Sequence, residues 1–150
     1  VSILIIQDNK KARFDYEVLE VIEAGIVLTG SEVKSLRAKD VQLKDAYVSF
    51  QNGEAFLQNA HISPYRASSY NNHTPERLRK LLLNRNEINK LMGQVQERGL
   101  SIVPLKIFFK NGMVKLDLGL VRGKKAHDKR NAIKERESNK SLKQTLRHSR

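Results

Sequence analysis

The sequence predicts a mainly β protein with short helices: an OB-like antiparallel β-barrel with flanking helices and a basic C-terminal tail. Three observations point there. "SFQNGEAF" and "FFKNGMVK" each set Asn-Gly between strand-like runs, the pairing that a two-residue type I′ hairpin turn prefers. Short strand patterns recur through residues 16–121 with only two helix patterns among them. The charge is concentrated: from Arg122 to Arg150 there are eleven Lys/Arg against three acids, a net of +8 within a total of +12.

Taken in order, residues 1–15 read as a polar arm that opens on "VSILII", a strand fragment or ordered segment. That run lacks the charged start and the length of a signal peptide. The chain starts on Val1 rather than Met, so it is expected to begin inside the natural protein. Strands are expected at 16–29, 45–51, 54–60, 79–83, 101–110 and 113–121. A short helix is expected from Ser31, as its cap, with Val33 and Leu36 turned inward. "SPYRASSYNNHTPE" reads as a long loop because of its prolines and polar content.

The longer helix follows from "NRNEINKLMGQVQERGL". Asn84 caps it, Glu87 completes a capping box, and Ile88, Leu91, Met92 and Val95 form a core-facing stripe. Gly99 stops it. In the second hairpin, pairing outward from Asn111-Gly112 sorts the side chains by face. Leu105, Ile107, Phe109, Val114, Leu116 and Leu118 go inward, with Leu105 opposite Leu118. Lys106, Phe108, Lys110 and Lys115 go outward.

A chain of 150 residues is most simply one domain with appendages: residues 1–121 as barrel and arm, and 122–150 as tail. There is no cysteine, which removes disulfides and thiolate metal sites and fits a reducing, cytoplasmic setting. No apolar run approaches the roughly 20 residues of a membrane span. Phosphate-loop and dinucleotide-binding glycine patterns are absent, and the four histidines have no zinc-ligand spacing. No catalytic residue, metal or cofactor is therefore expected. The acids Asp15, Glu17, Glu20 and Glu23 read as a solvated strand face.

The charge balance calls for a polyanion, with nucleic acid ahead of an acidic membrane. Lys106, Phe108, Lys110 and Lys115 would put a ring among ammonium groups, a platform on which bases stack and phosphates pair. The plainer alternative covers Phe108 with another element or with the lysine stems, and pairs Lys106 with Asp117. Further cations lie at Lys10, Lys11 and Arg13, and at Arg77, Arg79 and Lys80.

After Gly123 the tail has neither glycine nor proline, so it can become helical. As a helix it would gather Lys125, Lys129, Arg136, Lys140, Lys143 and Arg147 in an arc of roughly 60°. A stripe of one sign repels itself and suits a phosphate track. With little apolar surface to dock, the tail is expected to be disordered when free and to fold on binding. A merely solubilising tail is the alternative. A membrane-surface helix fits less well, since the apolar face lacks bulky anchors.

These blocks resemble a known family. "NKKARFDY", "EAGIVLTGSEVKSLRA", "LKDAYV", "NGEAFLQNAHISPY", "RKLLLNRNEI", "VPLKIFFKNG" and "RGKKAHDKRNAIKERE" are similar, in order, to blocks of the small protein B (SmpB) family, the SsrA-binding proteins of bacteria. The resemblance implies an OB-like barrel that binds transfer-messenger RNA (tmRNA) at its tRNA-like domain and delivers it to stalled ribosomes. Protein and RNA together would mimic a tRNA, the protein standing for the anticodon arm. The tail would reach the decoding centre and the vacant mRNA channel as a helix. Such a protein catalyses no bond change and is most simply a monomer on its RNA. Elongation factor Tu and alanyl-tRNA synthetase would act on the same RNA.

The resemblance also implies roles. Asn9, Glu23 and Leu82, within the 81–83 block, match positions linked to RNA binding. The basic residues Lys10, Lys11, Arg13, Arg79, Lys80, Lys106, Lys110 and Lys115 join them as candidates, with Phe108. Gly123, Lys124, Lys125 and His127 match positions near the decoding centre, and Asp128-Lys129-Arg130 a triplet needed for tagging. Lys134 and Arg136 continue that segment. Phe14 stands where many members have His, and residues 1–8 match no family motif. The alternative function is a ribosomal structural RNA-binding protein with a basic extension.

Overall fold

The computed structural model describes residues 2–65 and 72–124. The expected disorder of the free tail, its helix on the ribosome and its basic stripe lie outside the described residues. The described part is mainly antiparallel sheet with three short helices. The strands are β1 (Ile3–Asp8), β2 (Tyr16–Ile26), β3 (Val41–Gln42), β4 (Tyr47–Gln51), β5 (Glu54–Gln58), β6 (His61–Ile62), β7 (Arg79–Leu82), β8 (Ser101–Lys110) and β9 (Met113–Gly123). The helices are α1 (Lys10–Asp15), α2 (Gly30–Arg37) and α3 (Arg85–Arg98).

Seven strands form one sheet in the order β1-β8-β9-β2-β7-β5-β4, and β3 pairs with β6 in a small second one. The long sheet curls far enough for β4 to pack against β8. This gives the OB-like, barrel-shaped body, although no ladder joins the β1 and β4 edges among the described residues.

Both Asn-Gly hairpins form where the sequence places them. Asn52, Gly53, Asn111 and Gly112 all have positive φ, the condition a type I′ turn sets on both central residues. β8 and β9 pair from Lys110↔Met113 through Lys106↔Asp117 in the expected register. Beyond Lys106 the register shifts, and Pro104 rather than Leu105 faces Leu118. The irregularity lies beside a proline, which has no N–H for the ladder. Leu105 leaves the main core and packs with Ala12, Val103 and Val121. That small cluster seats α1 on the sheet.

The arm is thus an edge strand and a helix. Asn9 caps α1 by accepting from Ala12 N at 3.2 Å. α3 is as expected, with the reciprocal Asn84–Glu87 box and Ile88 and Leu91 buried. α2 starts earlier than expected. Its cap is Thr29, boxed with Glu32, because Ser31 instead places its hydroxyl 2.9 Å from His73 Nδ1. β2 stops at Ile26 to make room for that cap, and β9 runs to Gly123, two residues past the expected end.

Candidate nucleic-acid interface

Strand alternation gives the long sheet a core face and an outer face. The register aligns Ile5, Phe108, Lys115, Gly25 and Leu82 across five strands of the outer face. The next row holds Asp8, Lys106, Asp117 and Glu23. Lys106, Lys110, Lys115, Glu23, Lys80 and Leu82 therefore share one surface. The sequence had brought together only the four residues of one hairpin.

Most charges on this surface answer one another. Lys110 Nζ lies 3.0 Å from Glu23 Oε1 and Lys106 Nζ 3.5 Å from Asp117 Oδ2. Lys80 Nζ lies 3.2 Å from Glu54 Oε1. Glu17 and Glu20 are likewise paired, with Arg122 and Lys90. The acids of β2 are thus solvent-exposed, as expected, and each is paired with a cation. Lys115 makes no ion pair among the described residues. Leu82 is 53% exposed and leans on Gly25, where a Cβ would meet Leu82 side-chain atoms at 3.2 Å. A side chain at position 25 would crowd Leu82 and force it to shift by a few tenths of an ångström.

Three expected contact residues are placed otherwise. Phe108 keeps only 3% of its surface, so the exposed stacking ring does not exist. Ile5 and Lys115 flank it in register, and Lys106 Nζ sits 5.6 Å from the ring centroid. The added edge strand β1 is what the face assignment lacked. Arg79 is fully buried on the core face. Its Nε donates to Glu32 Oε2, Nη1 to Ala60 O at 2.9 Å and Nη2 to Pro75 O at 2.8 Å. Arg77 Nη2 donates to Glu32 Oε1 at 2.7 Å. Burial by itself would raise the Glu32 carboxyl, but donation from Arg77, the Thr29 amide and Arg79 outweighs it and lowers the group to about 2.

Asn9 is also interior. Its Nδ2 donates to Leu43 O at 3.2 Å and Pro104 O at 2.9 Å, joining α1 to β8 and to the loop before β4. It positions the surface rather than lying on it. Arg13 turns toward the outer face through Asp8 at 3.3 Å, whereas Lys11 turns away to Asp45 at 3.1 Å. Lys10 is exposed. Gly123 pairs with Tyr16, and Lys124 N donates to Asp15 O at 3.1 Å, so the chain leaves the sheet beside α1. Lys125, His127, Asp128, Lys129, Arg130, Lys134 and Arg136 lie outside the described residues.

The sequence pattern also did not single out Phe56 as an outer-face residue. Phe56 pairs with Lys80 and is half-buried on the outer face. The alternation in "EAFLQ" carries that signal once Ala55 and Leu57 are placed in the core. No helix among the described residues is long and apolar enough to cross a membrane, and no cluster of potential metal ligands occurs there.

A curled antiparallel sheet whose outer face carries lysines and the exposed Leu82 defines an OB-like fold with a basic surface. The comparisons agree with that class and narrow it. The chain is 61% identical over 149 residues to an SsrA-binding protein of Bdellovibrio bacteriovorus, covering 99% of this chain and 98% of that one. It is 56% identical over 143 residues to an SsrA-binding protein of Gloeothece citriformis, covering 95% and 92%. A solved structure described as "tmRNA-SmpB: a journey to the center of the bacterial ribosome" matches with a TM-score of 0.68 and 51% identity, over 80% of this chain and 85% of that one. The SmpB protein family model matches residues 6–148, and the chain belongs to that family.

Proposed function

We propose that this protein binds tmRNA at its tRNA-like domain and carries it to ribosomes stalled on an mRNA without a stop codon. The outer face holds the RNA: Lys115, Lys110, Lys106 and Lys80 supply the charge, and Leu82 and Glu23 the local contacts. Arg13 and Lys10 extend the charge toward α1, and Asn9 fixes α1 in place. The body, residues 1–121, stands in for the anticodon arm. The tail, 122–150, enters the decoding centre and the vacant mRNA channel. Elongation factor Tu and alanyl-tRNA synthetase act on the same RNA, and one protein binds each RNA in the cytoplasm. The protein makes and breaks no covalent bond.

The observation that carries this reading is the 61% identity to an SsrA-binding protein across almost the whole of both chains. Two experiments test it. Sequencing the RNA that co-purifies from native cells should return one dominant tRNA-like species. Stoichiometric recovery with all ribosomes and no such RNA would favour a ribosomal structural protein instead. Truncation after Lys124, which spares the whole of β9, should leave affinity for tmRNA largely intact and abolish tagging of nascent chains. Loss of RNA binding on truncation would overturn the division between body and tail.

A further inference from the structure

The outer face does not end at Leu82. Beyond it lies a cleft of about 360 Å³ between the β4–β5 turn and the start of α3, lined by Gly53, Glu54, Lys80, Leu82, Leu83 and Arg85 among others. Its two cations differ. Lys80 is already paired with Glu54 at 3.2 Å. Arg85 is exposed and makes no ion pair among the described residues.

The position of Arg85 is nevertheless defined. Its Nη1 lies 3.5 Å from where a Cβ on Gly53 would stand, so the guanidinium reaches over the Asn52-Gly53 turn. Gly53 holds φ at +75°, which favours glycine and leaves the top of that turn as bare backbone. The start of α3 does not serve as the anion site, because Asn84 and Glu87 close its capping box. A planar fork of five donors is left facing solvent, the arrangement that takes phosphate in two-point fashion.

The rest of the surface gives this fork a partner of definite kind. Lys115 lies two strands from Leu82, roughly 10 Å away at ordinary strand spacing. Arg85 lies on the other side, three residues past Leu82 along the chain. The exposed aliphatic of β7 is thus flanked by two cations that have no ion pair among the described residues. A strand of nucleic acid carries a phosphate at every nucleotide, so two non-adjacent phosphates can reach both cations while a ribose between them lies over Leu82.

We propose that Arg85 is a further RNA-contact residue, taking a backbone phosphate while a ribose of the same strand rests on Leu82 and another phosphate meets Lys115. The inference deepens the function proposed above and rests on it. The contact reads no base, so it contributes affinity and register rather than sequence preference.

The test measures affinity of the full chain for the tRNA-like domain of tmRNA across a salt series. Arg85→Gln should weaken binding about five- to ten-fold and lower the salt slope by about one. Arg85→Lys should restore the slope but not the full affinity, because an ammonium group lacks the fork. Glu54→Gln should release Lys80 and tighten binding a few-fold. Thermal melting should be the same in all three, since these side chains are exposed. Unchanged affinity and slope in Arg85→Gln would overturn the proposal. If Lys115→Gln still weakened binding, the functional reading would stand and only the cleft would be lost. Weaker ribosome association with unaltered RNA affinity would give the cleft to another partner. A parent chain that fails to bind tmRNA would remove the functional reading, and this inference with it.

Discussion

Arg79 and Arg85 bracket the end of one strand, yet they use the same group in opposite ways. Beneath α2, Arg79 is wholly enclosed, and each arm of its guanidinium meets an oxygen of Glu32, Ala60 or Pro75. Beyond Leu82, Arg85 stands in solvent over a glycine turn with no acid paired to it among the described residues. The difference follows from solvation. A charge removed from water must be fully met inside the protein, whereas one left in water stays available to a partner. The buried cluster ties α2, β7 and the segment around Pro75 to one another. The exposed one is left in water, where a partner can reach it.

The sharpest way to break this contrast is Arg79→Ala. Glu32 would keep Arg77 and the Thr29 amide but lose its buried partner, and the carbonyls of Ala60 and Pro75 would lose their donors, so the fold should lose about 3 kcal/mol in urea denaturation. A variant as stable as the parent would show that the cluster is not structural. Arg85→Gln should leave the same midpoint unmoved.

Acid provides a second test of the same cluster. Glu32 is held at about 2 against an ordinary value of 4.5, so the folded state favours its charged form. Its contribution is complete above pH 4.5 and is lost as pH falls from there toward 2. A shift of this size corresponds to something on the order of 3 kcal/mol. The urea midpoint should therefore fall steeply through that window in the parent. In Glu32→Gln the slope should be shallower, although that variant starts from lower stability.

Asn9 lies between the two extremes, being buried and yet at a position the family resemblance links to RNA. Asn9→Ala leaves the carbonyls of Leu43 and Pro104 without their donor and should cost about 1–3 kcal/mol. Stability and tmRNA affinity should fall together, because α1 loses its anchor. Affinity lost at full stability would make Asn9 a direct contact instead.

Much of this fold can be read from local pattern. Asn-Gly pairs demand positive φ, and the Asn84–Glu87 spacing demands a capped helix, whatever surrounds them. Those elements appear where expected. The failures share a different cause. Phe108 alternates outward as the pattern requires, but β1 lies alongside β8 and the ring is covered. Arg79 sits in a run of cations, and alternation along β7 turns it inward while Lys80 and Leu82 turn out. Leu105 was displaced by the irregularity beside Pro104. Phe108 and Arg79 depend on neighbours distant in the chain, β1 and Glu32, whereas Leu105 is displaced beside an adjacent proline.

By itself the sequence determined the hairpin turns, the caps and stripe of α3, the register from Lys110 back to Lys106, and the family. All of these rest on interactions within a few residues, or on the order of whole blocks along the chain. Tertiary structure decided which charges meet one another. It buried Arg79 against Glu32, paired Lys110 with Glu23 across β9, and left Lys115 and Arg85 on either side of Leu82. A charge has the same valence wherever it lies, and only its distance from water and from the opposite sign settles whether it holds the fold or waits for a ligand.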